Sequence, residues 1–156
     1  METKVKGGRL PESGGVIDVT LRSEAGVGKP VGECSTRDLG CFGEDVTASF
    51  LEQCGAEILE RNWRCPFGEA DIIALMDDVI LMVEVKTRAK VPNDSGLVPE
   101  VAVDYRKRGR YERMALVYLA NQTRLDAVRF DIAAINLIDE CTMRLRYMAG
   151  AYGWDC

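Results

Sequence analysis

Residues 68–88 constrain the fold of this chain more than any other stretch. Two apolar runs, 72–76 and 79–85, flank Asp77 and Asp78. Their length and β-branched content predict two strands joined by a tight hairpin. If the aspartates are the two loop residues, Met76 pairs with Val79, and counting outward places Asp71 opposite Glu84. Any other even loop length shifts the partner but keeps both carboxylates on one face, because side chains alternate with period two. Lys86 shares that face. The remaining positions are apolar on both faces, which predicts a central strand pair covered by helices on each side.

Like charges facing one another in a sheet are destabilising. Two carboxylates ~5 Å apart repel by roughly 3 kcal/mol at an effective dielectric of about 20. Lys86, a shared proton or a bound cation can offset that. One reading is a structural Asp/Glu/Lys cluster at a strand end. The other is a phosphodiesterase layout. Asp71, then Glu84-Val85-Lys86 on the next strand, supplies hard oxygen ligands suited to Mg²⁺ or Mn²⁺, with an ammonium one side-chain step away.

Several motifs extend this pattern: Gly43-Glu44-Asp45, Arg61-Asn62-Trp63-Arg64-Cys65, Gly68-Glu69-Ala70-Asp71-Ile72-Ile73-Ala74 and Val83-Glu84-Val85-Lys86-Thr87-Arg88. Arg129-Phe130-Asp131 and Ala151-Tyr152-Gly153-Trp154 continue it. Together, over residues 41–154, they resemble the YraN family. That family is similar to the restriction-endonuclease-like superfamily with PD-(D/E)xK active sites and to archaeal Holliday-junction resolvases. The resemblance implies an α/β fold, a mixed central sheet of about five strands between helices. It also implies that Asp71, Glu84 and the Val85 carbonyl hold the metal, with Glu44 as a third acidic residue, direct or through water. Lys86 would orient or activate the attacking water. The expected activity is Mg²⁺- or Mn²⁺-dependent hydrolysis of phosphodiesters, in branched or flapped DNA. The rival expectation is a non-catalytic nucleic-acid-binding or scaffold protein that keeps the fold and the acidic cluster.

At 156 residues the chain is one domain's worth, large enough to bury a core. A net charge of −5 does not advertise nucleic-acid binding, so a nuclease of this composition must concentrate its positive charge locally. The absence of histidine excludes Ser-His-Asp and Cys-His catalysis and His-ligated zinc. Six cysteines without a Cys-x-x-Cys pair indicate no zinc ribbon and predict reduced thiols. No apolar run approaches membrane-spanning length, so the expected location is the cytoplasm, without a membrane partner.

Residues 1–40 are rich in glycine, and their only strand-like run is 16–21. They read as a flexible extension to an endonuclease-like domain over 41–156. Within them, Ser23-Glu24-Ala25-Gly26-Val27-Gly28-Lys29-Pro30 approaches a phosphate-binding loop. The pattern requires Gly at Ser23 and Ser or Thr at Pro30, and a proline offers neither hydroxyl nor N–H.

From Gly43 to about Cys54 the four-residue spacing of Val46, Phe50 and Cys54 predicts a helix. Glu44 can lean toward the sheet or stand as a first-turn glutamate favoured by the helix dipole, Asp45 and Glu52 face water, and the helix stops at Gly55. A first strand, 56–64, follows, with Trp63 in the core. Glu69 is either a supporting acid or a solvated strand start. The polar segment 89–96 abuts the site. A second helix, 99–120, carries the apolar stripe Tyr111, Met114, Ala115, Tyr118 and Leu119. Beside it Arg106, Arg110 and Arg113, with Lys107, form a basic ridge, either a solvated face or a contact for a phosphate backbone. Gly109 thins that ridge at a position where the resembled family is basic. Strands over 128–135 and 143–148, the latter at an edge, complete the sheet. Asp131 reads as a structural partner for a nearby basic residue, and Tyr152 and Trp154 as packing back on the body.

Overall fold

A computed structural model describes residues 9–89, 105–122 and 127–151, with the backbone alone for 105–107. Its strands are β1 (Val16–Arg22), β2 (Glu57–Cys65), β3 (Gly68–Met76), β4 (Val79–Ala89), β5 (Ala127–Leu137) and β6 (Thr142–Met148). Two α-helices, α1 (Thr36–Gln53) and α2 (Tyr105–Ala120), accompany them. The strands form one six-stranded sheet in the order β1-β6-β5-β4-β3-β2. Only β4 and β5 run parallel, with α2 in the connection between them; the other pairs are antiparallel.

The hairpin expected at Asp77 and Asp78 is present. Both residues have positive φ, 47° and 64°, as the two central positions of a type I′ turn require. Met76 therefore pairs with Val79. The two faces of the hairpin enter two separate cores. Ile72, Ala74, Leu81 and Val83 pack with Val46, Phe50 and Leu51 of α1. Ile73, Ile80 and Met82 pack with Tyr111, Met114, Ala115 and Tyr118 of α2. Each large side chain fully buried in this way contributes roughly 1.5–3 kcal/mol of transfer free energy. The fold is thus the α/β, restriction-endonuclease-like arrangement anticipated, a mixed sheet between helices. It has six strands instead of about five.

The additional strand is β1, and it corrects the reading of residues 1–40 as a loose extension. Val16–Arg22 lies antiparallel along the whole of β6. Leu21 is 1% exposed and belongs to the α1-side core. Glycines on both sides disguise the strand, but they serve its turns: Gly14 N–H and Gly15 C=O bond to Ala149. In consequence β6 is interior, not the edge strand expected. Helix α1 also begins earlier than residue 43. Ser35 caps it, accepting from Asp38 N–H while the Asp38 carboxylate accepts from Ser35 N–H, a capping box that satisfies two orphan donors.

Segment 23–30 is not a phosphate cradle. Its backbone folds onto the β5–β6 turn through Ser23 N–H to Cys141 C=O and Val27 N–H to Glu140 C=O. Lys29 is spent on Asp38 at 2.9 Å. Asp131 has the structural role expected. Its buried carboxylate accepts from Arg129 Nε and Nη2, each at 2.8 Å, from the Tyr147 hydroxyl and from the Gly150 N–H. Trp63 packs edge-on against Tyr118 in the α2-side core. Cys54 is half-buried against the α1-side core, and burial pushes its thiol up to about 11. Segment 90–96, residues 99–104 at the expected start of the second helix, and Tyr152 and Trp154 lie outside the described residues.

Candidate active site

The site is built where the β3–β4 ladder ends. The last pair is Ile72 with Val83, so the next positions outward are Asp71 and Glu84. There the side chains take over. Asp71 Oδ2 accepts from Val85 N–H at 2.8 Å, which ties its carboxylate to the backbone of β4. Glu84 turns toward α2, where Tyr111, 6% exposed, donates its hydroxyl to Glu84 Oε2 at 2.9 Å. Both acids are half-buried.

Glu44 arrives from α1. The helix approaches β4 closely there because residue 43 is glycine: a Cβ at that position would overlap the Thr87 side chain. Burial raises the Glu44 pKa, and the neighbouring Asp71 charge raises it further, against Arg61 and a hydrogen bond from Asn62. Burial likewise raises Asp71; the Val85 N–H opposes the shift, and the charges of Glu84 and Glu69 add to it. Asp71 is therefore the hub through which the three carboxylates repel one another.

The positive charge that meets them is not Lys86. That residue is half-buried on β4, two positions past Glu84, and no carboxylate among the described residues pairs with it. Arg61 of β2 does the neutralising on the α1 side, at 2.8 Å from Asp45 and 3.8 Å from Glu44. Beside it Asn62 adopts φ 53°, an uncommon conformation for which Asn is enriched. Asn62 sits between Arg61, paired with Ile72, and Trp63, paired with Ala70, across from Asp71. Tyr111, Arg61 and Asn62 are contributions that sequence reasoning missed. Tyr111 reads as one more member of an apolar stripe. A strand-interior asparagine beside an arginine is the signal that was available for the other two.

The donor set suits a hard divalent cation: half-buried carboxylate oxygens whose mutual repulsion no described lysine relieves. Among the described residues no three acidic or cysteine side chains converge closely enough to hold an ion alone. Backbone carbonyls, water or a shift of Glu44 out of the grip of Arg61 and Asn62 would have to complete a coordination shell.

The basic ridge lies beside the β2–β3 turn, at the end of the sheet where β3 starts toward Asp71. Arg110 and Arg113 are exposed. Arg110 lies over the Tyr111 ring and Arg113 over the Phe67 ring, at 5.4 and 5.9 Å from the centroids. Arg106 and Lys107 fall in the first turn of α2, and their side chains lie outside the described residues. Glu69 is exposed and paired with Arg64 at 3.3 Å. None of the described helices is long and apolar enough to cross a membrane.

A family model, "Uncharacterised protein family UPF0102", matches residues 43–135, a span that includes Glu44, Asp71, Glu84 and Lys86. A UPF0102 protein of Parafrankia sp. (strain EAN1pec) is 42% identical over 115 residues, 73% of this chain and 95% of the relative. One of Dictyoglomus turgidum is 41% identical over 104 residues, 66% of this chain and 86% of the relative. A third, of Clostridium perfringens, is 38% identical over 118 residues, covering 74% and 94% of the two chains.

Proposed function

The chain belongs to the UPF0102 (YraN) family, and we propose that it is a Mg²⁺- or Mn²⁺-dependent nuclease hydrolysing phosphodiester bonds in branched or flapped DNA. The observation that carries this reading is the approach of Glu84 from β4 and Glu44 from α1 to Asp71 of β3 at one end of the sheet, two positions along β4 from Lys86. Asp71, Glu84 and the Val85 carbonyl would hold the cation, with Glu44 direct or through water. When bound, the cation would polarise a phosphate oxygen and neutralise the charge that builds up on it. The Val85 N–H and the Tyr111 hydroxyl fix the orientations of Asp71 and Glu84. Such preorganisation spares reorganisation during the reaction. Lys86 would orient the attacking water and take part in moving its proton. Arg110 and Arg113 supply the local positive charge that an acidic chain needs to hold a polyanion.

The test is cleavage of single-stranded, duplex, flap and four-way DNA with Mg²⁺ or Mn²⁺, by wild type and Lys86→Ala. Cation-dependent cleavage by the wild type alone is the expected result. A specific observation favours a second reading, a non-catalytic nucleic-acid-binding protein. Arg61 pairs with Asp45 and approaches Glu44, so part of the acidic charge is met within the chain. Binding without cleavage of any substrate would select it.

A further inference from the structure

Aromatic rings ordinarily finish inside a core, yet the β2–β3 turn leaves one on the surface. Phe67 is 42% exposed. Two arginines of α2 reach this turn. Arg113 lies over the ring at 5.9 Å from its centroid. Arg110 runs along Gly68, its Cδ 3.4 Å from where a Cβ would stand.

We propose that this turn, the Phe67 ring with Arg110 and Arg113, is a docking site for an unpaired base and its flanking phosphates in a single-stranded nucleic acid. An apolar partner would use the ring but waste two cations on a chain of net charge −5. A single strand uses both. Its base stacks on the exposed ring surface, and the guanidinium groups meet its phosphates. Paired bases in a duplex keep their faces stacked on one another, so the ring distinguishes the two forms. Phe67 stands four residues before Asp71, at most about 13 Å along an extended strand, so a strand seated on it passes within reach of the acidic cluster. The inference rests on the nuclease reading for its purpose and supplies what that reading lacks, a reason to prefer DNA with an unpaired segment.

The experiment is binding of the full chain to labelled oligothymidylate and to a duplex of equal length, by anisotropy in EDTA. No metal and no cleavage are needed, so an inactive protein that still stacks a base would sink the nuclease reading and keep this one. Phe67→Ala should weaken oligothymidylate binding about five- to 150-fold while duplex affinity stays within about twofold. Phe67→Trp should restore the affinity and lose indole fluorescence on binding. Arg110→Gln and Arg113→Gln should weaken both ligands and each lower the salt slope by about one. The proposal is overturned if the wild type does not bind oligothymidylate, or if Phe67→Ala binds it like wild type. It is equally overturned if that variant loses both ligands alike, or if sedimentation shows the wild type self-associating and Phe67→Ala monomeric.

Discussion

The carboxylate of Asp71 is held by the backbone of the neighbouring strand, its Oδ2 accepting from Val85 N–H at 2.8 Å just beyond the last ladder pair. The contact fixes where the acid points but does not remove the cost of its charge. Burial raises its pKa, and Glu84 and Glu69 add to the rise against the Val85 bond. Glu44 is raised too, by burial first and by Asp71 second.

The pH dependence follows from that direction. An acid with a raised folded-state pKa holds more protons folded than unfolded. The stability it contributes is whole below the unfolded carboxylate range, about pH 4, and is lost as pH rises through the folded pKa. In metal-free buffer Asp71→Asn, which keeps an acceptor for Val85, should therefore gain on the wild type as pH rises from about 4 toward neutrality. Melting temperatures measured across that range check this. A difference that does not change with pH would show that Asp71 carries no such penalty.

Tyr111 links α2 to Glu84. Tyr111→Phe leaves the ring packed on Phe130 and deletes the hydroxyl bond, at a stability cost of about 1 kcal/mol. If the bond orients Glu84 for a cation, Mn²⁺ affinity measured by calorimetry should fall roughly tenfold or more. A variant less stable but equal in Mn²⁺ affinity would reduce Tyr111 to a packing residue.

Gly43 lets α1 sit against Thr87. Gly43→Ala should cost about 1–3 kcal/mol through overlap with the Thr87 side chain, and Gly43→Ala with Thr87→Gly should recover part of it. The first variant also pushes Glu44 away from Asp71, so its Mn²⁺ affinity should fall with its stability. Denaturant unfolding of the two variants measures the coupling. Equal losses in both would mean that the helix accommodates the methyl group elsewhere.

The hairpin was legible because period-two alternation and a two-residue loop leave no freedom: once Asp77 and Asp78 turn, Asp71 and Glu84 come together. The stripe on α2 was legible for the same reason, at helical spacing. Three things were not. Residues 16–21 read as strand-like on their own, but the glycines around them read as a flexible extension, and the strand's place in the sheet depends on pairing with β6. The start of α1 lies ahead of Gly43, at the capping box that Ser35 and Asp38 write inside the glycine-rich segment. The partners of the acids were the third. A tyrosine hydroxyl 27 residues away and an asparagine in a left-handed conformation depend on tertiary placement, which no local pattern encodes.

The place of β1 in the sheet has its own consequence. Deleting residues 1–22 uncovers β6 and empties the site of Leu21, whose burial alone is worth roughly 1.5–3 kcal/mol. The truncated chain should melt at least about 5 °C lower and associate through the bared strand edge. Melting within a degree or two of the full chain, without association, would restore the extension to a dispensable one.

Whether the cluster is a cation site or a structural ion cluster is decided by the effect of Mn²⁺ on melting. Binding to the folded state alone adds about 1.4 kcal/mol at tenfold excess over Kd, or about 3–6 °C for a chain of this size. Wild type and Lys86→Ala should both show that rise in millimolar Mn²⁺, because the lysine is not a ligand, and Glu84→Gln should not. A wild-type melting temperature unmoved by Mn²⁺, with no heat of binding in calorimetry, would contradict the account and leave Asp71, Glu84 and Glu44 as a structural cluster.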